Sequence, residues 1–374
     1  MNVILFFTYG VSLKDWESSG LLSREIKQYK TLSEKYNINF TFVTYGDNDE
    51  YKYNNYFKNL KIFPIYSFIS HSNSKLIRII KSLYIPFLIK RKLGAEYEIL
   101  KTNQLNGSWV AIIFKLITKI PLIIRTGYDL FTFSKYEKKN IIKRIFYYIL
   151  TLFSLNFSNL YSVSSKTDYN FLKDNFIFNK NKLIIIPNWV DSIEILPSKK
   201  RANKVLVIGR MEKQKNFELI INSLKNTEFD LDIFGEGSLK SKLKEASKNS
   251  NNINFLGIKP HEELMNEYEK YQFYISLSSH EGNPKTTLEA MGSGCVVIVS
   301  NIPNNREIVS HLETGVLIEP EKDNLINTLR EICKKTDLIN KIRINSINYI
   351  ENNNSIDKVI SREFEEYKKL SSFN

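Results

Sequence analysis

Four charged side chains hold most of the chemistry that this sequence offers: Arg210 and Lys215 and, further along, Glu281 and Glu289. The two cations follow an apolar run, Lys204 to Gly209, that reads as a strand ending in glycine, and they lie on the turn into the next helix. Arginine chelates phosphate oxygens and lysine adds a mobile point charge. A pair of them over a helix N-terminus would clamp a diphosphate, and a solvated basic turn would carry the same residues with no ligand. The glutamates flank a second strand-to-helix junction. Phe273 to Leu277 is an apolar, β-branched and aromatic run that ends at Glu281-Gly282. Asn283-Pro284 then reads as an N-cap followed by proline at the first helical position, with Lys285 and Thr286 in the first turn. The unpaired N–H groups and positive dipole end of that helix attract an anion. Carboxylates beside it would repel the same anion unless they bind something else, and hydroxyls are what an ionised carboxylate accepts from. The step between them spans at most about 12 Å along a helix, so Glu289 could take a ribose diol and Glu281 a hexose hydroxyl of one extended ligand. For each glutamate by itself, a turn residue or a solvated helix position is the competing account.

The wider pattern is Glu281, seven residues, Glu289-Ala-Met, then Gly292 and Gly294 ahead of an apolar strand, Val296 to Val299. It resembles the nucleotide-sugar signature of the family 4 retaining glycosyltransferases, glycosyl transferases group 1. The resemblance implies the α/β GT-B fold, two Rossmann-like domains facing a cleft, with a C-terminal helix crossing back to the first domain. It also implies that Glu289 binds the donor ribose, that Glu281 contacts the transferred sugar, and that Gly209, Arg210 and Lys215 form the donor diphosphate site. Gly235, in the turn Gly235-Glu236-Gly237, would lie near the nucleotide base, and Gly282, Asn283, Pro284, Lys285 and Thr286 along the donor. Many members carry Phe-Gly after the first Glu-Gly pair; this chain has Asn283-Pro284-Lys285. Pro187-Asn188-Trp189-Val190-Asp191 resembles the family's interdomain Pro-Asn-Gly-Val-Asp, with Trp189 in place of glycine. Many relatives also place a donor-facing histidine in the loop where Arg125, Gly127 and Asp129 stand here, and this chain has none there. Arg125, Gly127, Asp129, Asn188 and Gly20 are the candidates for the acceptor or sugar side, although Arg125 by itself reads first as a structural, ion-paired residue.

These residues need a scaffold, and the first half alternates strand and helix signals. Strands are expected at Val3 to Thr8, Asn39 to Tyr45, Leu60 to Tyr66, Glu98 to Thr102, Pro121 to Thr126, Leu160 to Val163 and Leu183 to Ile186. Helices are expected at Ser23 to Lys35, at Leu76 to Leu93 with an interruption at Pro86, at Gly107 to Thr118 and at Asn140 to Phe157. Such alternation builds a parallel sheet with helices on both faces, whose ligands bind at the carboxyl ends of the strands. The loop Tyr9 to Gly20 therefore belongs at a site, where Gly10 and Gly20 would permit close backbone approach or serve as plain turn glycines. A polar, basic run, Pro197 to Lys204, separates a first domain, residues 1–196, from a second, 197–352, and residues 353–374 form a last helix.

Composition narrows the classes. With 43% hydrophobic and 25% charged residues the chain is that of a soluble globular protein. Cys295 and Cys333 are too few for a disulfide framework, which points to a reducing cytoplasm. His71, His261, His280 and His311 show no ligand spacing, so no metal is expected. A strand begins at Val3 with no charged leader before it, and no run reaches the ~18 consecutive apolar residues of a membrane span. The net charge of +13 is uneven: residues 1–195 hold 27 Lys/Arg against 15 Asp/Glu, and the rest 26 against 25. From Tyr51 to Ala95 there are nine bases and no acid, and Leu76, Ile77, Ile80, Leu83, Tyr84 and Phe87 interleave with them as in an interfacial helix. Lys138, Lys139, Lys143 and Arg144 precede a second apolar run, Ile145 to Phe157. Contact with an anionic membrane surface is expected, interior packing of those faces being the alternative.

The implied reaction moves a sugar from a nucleoside diphosphate to an acceptor hydroxyl with retention and with no metal or other cofactor, the leaving diphosphate being stabilised by Arg210, Lys215 and helix N–H groups. A glycan or lipid-linked acceptor of bacterial surface polysaccharide is expected, on the cytoplasmic face of the cell membrane, with no nucleic acid as partner. Two other classes account for part of the sequence. One is a nucleotide-sugar epimerase of the same fold; the other is a noncatalytic protein holding nucleic acid or membrane through its basic first half, which leaves the second-half motifs unexplained.

Overall fold

The computed structural model describes residues 1–94, 96–191 and 203–372. They divide into two compact units, Met1–Ile186 with the chain from Ile360 onward, and Pro187–Val359. The boundary expected between residues 196 and 197 lies outside the described residues.

Seven parallel strands make the sheet of the first unit: β1 (Asn2–Phe6), β2 (Asn39–Thr44), β3 (Leu60–Pro64), β4 (Ile99–Thr102), β5 (Leu122–Thr126), β6 (Leu160–Val163) and β7 (Leu183–Ile185), in the order β3-β2-β1-β4-β5-β6-β7. Its helices are α1 (Leu13–Ser18), α2 (Leu22–Tyr36), α3 (Lys75–Leu93), α4 (Ser108–Thr118), α5 (Leu130–Tyr136), α6 (Ile141–Phe157) and α7 (Lys166–Asn175). The central strand is apolar on both sides because both sides are covered. Ile4 and Phe6 join a core with Ile85 and Ile89 of α3, Phe114 of α4 and Leu155 of α6. On the opposite side Tyr29 of α2 meets Phe40 and Phe42 edge to face. α3 runs unbroken through Pro86, where an interruption was expected. Proline removes one backbone donor and crowds the preceding turn, but here the ring is itself buried beside Ile85, Leu88 and Ile89, which holds the helix in register.

The second unit repeats the plan with six parallel strands: β8 (Lys204–Ile208), β9 (Asp230–Phe234), β10 (Ile253–Gly257), β11 (Phe273–Ser276), β12 (Val296–Ser300) and β13 (Val316–Ile318), ordered β10-β9-β8-β11-β12-β13. Around them lie α8 (Phe217–Leu224), α9 (Lys240–Ala246), α10 (His261–Tyr268), α11 (Lys285–Gly292), α12 (Pro303–Ile308), α13 (Lys322–Cys333) and α14 (Thr336–Asn353). In each sheet the strand order reverses once, between β1 and β4 and between β8 and β11. The carboxyl ends at such a reversal are where open α/β sheets leave a crevice for a ligand.

The last helix, α15 (Ile356–Ser371), begins in the second unit, and from Ile360 onward it belongs to the first. There Phe364 stacks on Tyr36 of α2 with ring centroids 3.8 Å apart. Glu363 forms a buried ion pair with Lys101 of β4 and accepts hydrogen bonds from Tyr367 and, at 2.6 Å, from Gln28 Nε2. Burial opposes the charge on Glu363, but Lys101 and these donors outweigh it and hold its carboxyl below the usual range. Among the described residues no helix is long and apolar enough to cross a membrane.

Candidate active site

The loops at the carboxyl ends of β8, β9 and β10 are tied to one another. Gly209 N–H bonds to the Phe234 carbonyl at 3.0 Å, Met211 N–H to that of Glu236 at 2.8 Å, and Gly235 N–H to that of Gly257 at 2.7 Å. Gly235 has φ +133°, and a Cβ on it would lie 2.0 Å from the Gly209 carbonyl oxygen, so only glycine fits where these loops cross. Across the strand reversal, the loop after β8 is laced to the loop after β11. Ser279 N–H bonds to the Gln214 carbonyl at 2.9 Å, Gln214 Nε2 to that of His280 at 2.6 Å, and Asn216 Nδ2 to that of Leu277 at 2.7 Å.

This lacing brings two of the four charged residues together. Lys215 Nζ lies 2.5 Å from Glu281 Oε1, the lysine side chain being 17% exposed and the glutamate 9%. Arg210, on the same loop as Lys215, is exposed. Hydrogen bonds from Ser238 and, more weakly, the charge of Arg210 hold the neighbouring Glu212 below the usual carboxylate range.

Glu289 sits apart from that pair, buried within α11. His261 Nε2 lies 2.9 Å from its Oε1, and Tyr268 donates its hydroxyl hydrogen to Oε2 at 3.0 Å. Burial and the adjoining carboxylate push the Tyr268 phenol well above its ordinary value. His261 and Tyr268 escaped the sequence reading; the one signal for them is their spacing of seven on a single helix, which puts both on one face of α10.

The entry to α11 differs by one residue from expectation. Pro284 is the N-cap and Lys285 the first helical residue, and Asn283 does not cap. Its side-chain Oδ1 instead accepts from Asn188 N–H at 2.9 Å, and its carbonyl from Asn188 Nδ2 at 2.6 Å. Asn188, expected on the acceptor or sugar side, lies in the second unit and braces the turn into α11. Trp189 beside it is buried, and Lys285 Nζ lies 4.7 Å from its ring centroid. Gly282 is buried in the same turn, and Thr286 Oγ1 accepts from the Tyr274 hydroxyl at 2.8 Å.

In the first unit the remaining candidates have the following partners. Arg125 Nη1 reaches the Asn103 carbonyl at 3.4 Å and shares a small space with Lys101 and Glu363. Gly127 N–H bonds to Gln104 Oε1 at 2.9 Å. Asp129 caps α5 by accepting from Thr132 N–H at 2.7 Å, and burial raises its pKa. The loop Tyr9 to Gly20 contains the short helix α1 rather than irregular chain, its N-terminus fixed by a capping box of Ser12 and Asp15. Gly20 ends that helix. Gly10 lines a cavity of about 680 Å³ together with Tyr9, Tyr45, Tyr66, Glu50 and Arg78. Glu50 is buried in its wall, bonded to Leu13 N–H, Thr44 hydroxyl and, at 3.2 Å, Lys14 N–H; burial pushes its carboxyl up in spite of these donors. None of the cavity's aromatic residues was singled out from sequence.

The sequence model of the family described as glycosyl transferases group 1 matches residues 191–349. Among curated proteins, the chain is 28% identical over 169 residues to the GtfA subunit of a UDP-N-acetylglucosamine–peptide N-acetylglucosaminyltransferase from Streptococcus agalactiae, covering 40% of this chain and 33% of that one. It is 26% identical over 269 residues to an N-acetylgalactosamine-N,N'-diacetylbacillosaminyl-diphospho-undecaprenol 4-alpha-N-acetylgalactosaminyltransferase from Campylobacter jejuni, covering 66% of this chain and 70% of that one. The chain spans about a third of the length of the first curated relatives it matches. Among solved structures, sucrose-phosphate synthase from Thermosynechococcus elongatus superposes with a TM-score of 0.80 at 14% identity over 100% of both chains, which establishes the fold. With two Rossmann-like units and the glycine-bounded strand ends of its second half, this chain has the GT-B fold, and residues 191–349 resemble glycosyl transferases group 1.

Proposed function

We propose that the protein transfers a sugar from a nucleoside-diphosphate donor, held by the second unit, to a hydroxyl of a glycan acceptor. The observation that carries this reading is the Lys215–Glu281 pair at the strand reversal of that unit, 2.5 Å apart, with exposed Arg210 on the same loop. It puts a cation for phosphate and a carboxylate for a sugar hydroxyl at one strand-end site. Lys215 has three donors and spends one on Glu281, so phosphate oxygens can share the rest. His261 and Tyr268 fix the orientation of Glu289, whose carboxylate is the group proposed to meet the ribose diol.

In the proposed step the bond from C1 to the β-phosphate oxygen breaks as the acceptor oxygen bonds to C1 on the same face. The leaving phosphate oxygen takes the acceptor's proton, and Arg210, Lys215 and the first N–H groups of α11 offset the charge that develops there. This course retains configuration and routes no step through a metal; both, with membership of family 4, are part of the proposal. The cavity of the first unit suits the acceptor, with Tyr9, Tyr45 and Tyr66 as sugar-stacking faces. The diphospho-undecaprenol in the name of the Campylobacter relative supports a lipid-linked glycan as that acceptor; its use in surface polysaccharide assembly at the cytoplasmic face of the membrane is part of the same proposal.

Thermal shifts against UDP-, GDP-, ADP- and CMP-sugars should single out one donor, since a ligand at 100 times its Kd adds roughly 2.7 kcal/mol. Each charge-assisted bond is worth about 1.5 to 3 kcal/mol. Replacing Arg210 and Lys215 together by alanine should therefore lower turnover by roughly two to four orders of magnitude with the fold intact. Near-normal turnover in that variant would remove the diphosphate assignment.

A further inference from the structure

The helices α3, α4 and α6 cover one face of the first unit's sheet and turn a second apolar face outward. On α3, Ile85, Leu88 and Ile89 pack inward, whereas Leu76, Ile80, Leu83 and Phe87 recur at helical spacing on the exposed side, Leu76 being 68% exposed. On α6, Leu150 and Leu155 pack inward and Ile142, Ile145, Ile149 and Phe153 form the outer stripe, Ile142 being 74% exposed. The two helices are joined through α4: Trp109 donates its Nε1–H to Ser82 of α3 at 2.9 Å and meets the Phe146 ring of α6 edge to face at 6.3 Å. Leu116 of α4 is exposed as well. A helix apolar on all sides is covered on all sides, and joined apolar surface left outside marks an interaction site.

Charge identifies the cover. α3 carries six Lys or Arg, α4 one and α6 two, and none of the three contains an Asp or Glu. Lys90, Arg91 and Lys92 at the end of α3 and Lys143 near the start of α6 are exposed. A second copy of the chain would bring like charges face to face. A bilayer with anionic headgroups offers a sheet of negative charge with hydrocarbon directly beneath it, the layering in which apolar stripes and snorkelling Lys and Arg side chains settle together. We propose that the first unit docks on an anionic bilayer through the joined outer faces of α3, α4 and α6. The docking rests on this surface and not on the reaction proposed above. Because exposed charges are screened beyond about 8 Å at physiological ionic strength, it is reversible by salt.

The test is flotation of the full chain with vesicles of phosphatidylcholine alone or with phosphatidylglycerol added, at low and high salt. Partition onto the anionic vesicles at low salt should exceed that onto neutral ones by about tenfold or more and fall back at high salt. Ile80→Ser, Leu83→Ser, Ile142→Ser and Ile145→Ser together should abolish it while circular dichroism and nucleoside-diphosphate binding stay unchanged, which separates its failure from failure of the donor site. Equal partition onto both lipids at low salt, or none onto either, overturns the proposal. So does a dimer in light scattering that the same four substitutions dissociate, since a second copy would then be the cover.

Discussion

Glu281 and Glu289 are both buried carboxylates of one strand–turn–helix, yet their surroundings differ. Glu281 is paired with the cation Lys215, whereas Glu289 is held by His261 and Tyr268. If Glu289 holds the ribose, which nucleoside diphosphate and intact donor share, Glu289→Gln should weaken binding of both. Glu281→Gln should slow transfer and leave nucleoside-diphosphate affinity almost unchanged. Calorimetric titration of the two variants decides it: equal loss of nucleoside-diphosphate affinity contradicts the division. Arg210, Lys215 and the two glutamates stood out in the sequence as candidates because they are charges that follow apolar strand runs in glycine-marked turns or the helix after them. His261 and the cavity residues Tyr45, Tyr66 and Arg78 did not stand out, since they come from separate elements that only the folded sheet brings together, whereas the loop from Tyr9, which lines the same cavity, was expected at a site.

At the scale of elements, the long ones were readable because parallel strands covered on both faces are continuous apolar runs. Leu160–Val163 needed no adjustment and α6 began one residue later than expected. The short helices α5, α7, α10 and α12 lack enough turns to show a period and were not foreseen. The hand-over from β11 to α11 was misread for a different reason: asparagine before proline suits an N-cap, but a partner far off in sequence, Asn188, claims the Asn283 side chain. That contact has a measurable weight. Asn283→Ala would leave the Asn188 N–H without this acceptor in a part-buried turn, which should cost about 1–3 kcal/mol in urea unfolding and raise the KM for the donor. Loss of well under 1 kcal/mol with KM unchanged would show the brace to be idle.

Over the whole molecule, the two-sheet plan was legible from alternation, while the cluster that finishes the first unit was not. Lys101 sits in an apolar strand, and nothing near it in sequence announces that its counter-charge is Glu363. Burying that lysine without the carboxylate would leave an uncompensated charge, a penalty of about 3–5 kcal/mol, and α2 would lose the ring that covers Tyr36. The consequence is one of timing. Residues 1–186 leave the ribosome before residues 187–359, and Glu363, which neutralises Lys101, leaves after both, so the first unit is completed only once the second has had its chance to fold. Limited proteolysis of stalled nascent chains should find residues 1–186 open to cleavage until the segment through residue 372 has cleared the exit tunnel. Full protection of residues 1–186 in chains stopped at residue 359 would show that the order of synthesis leaves no such mark.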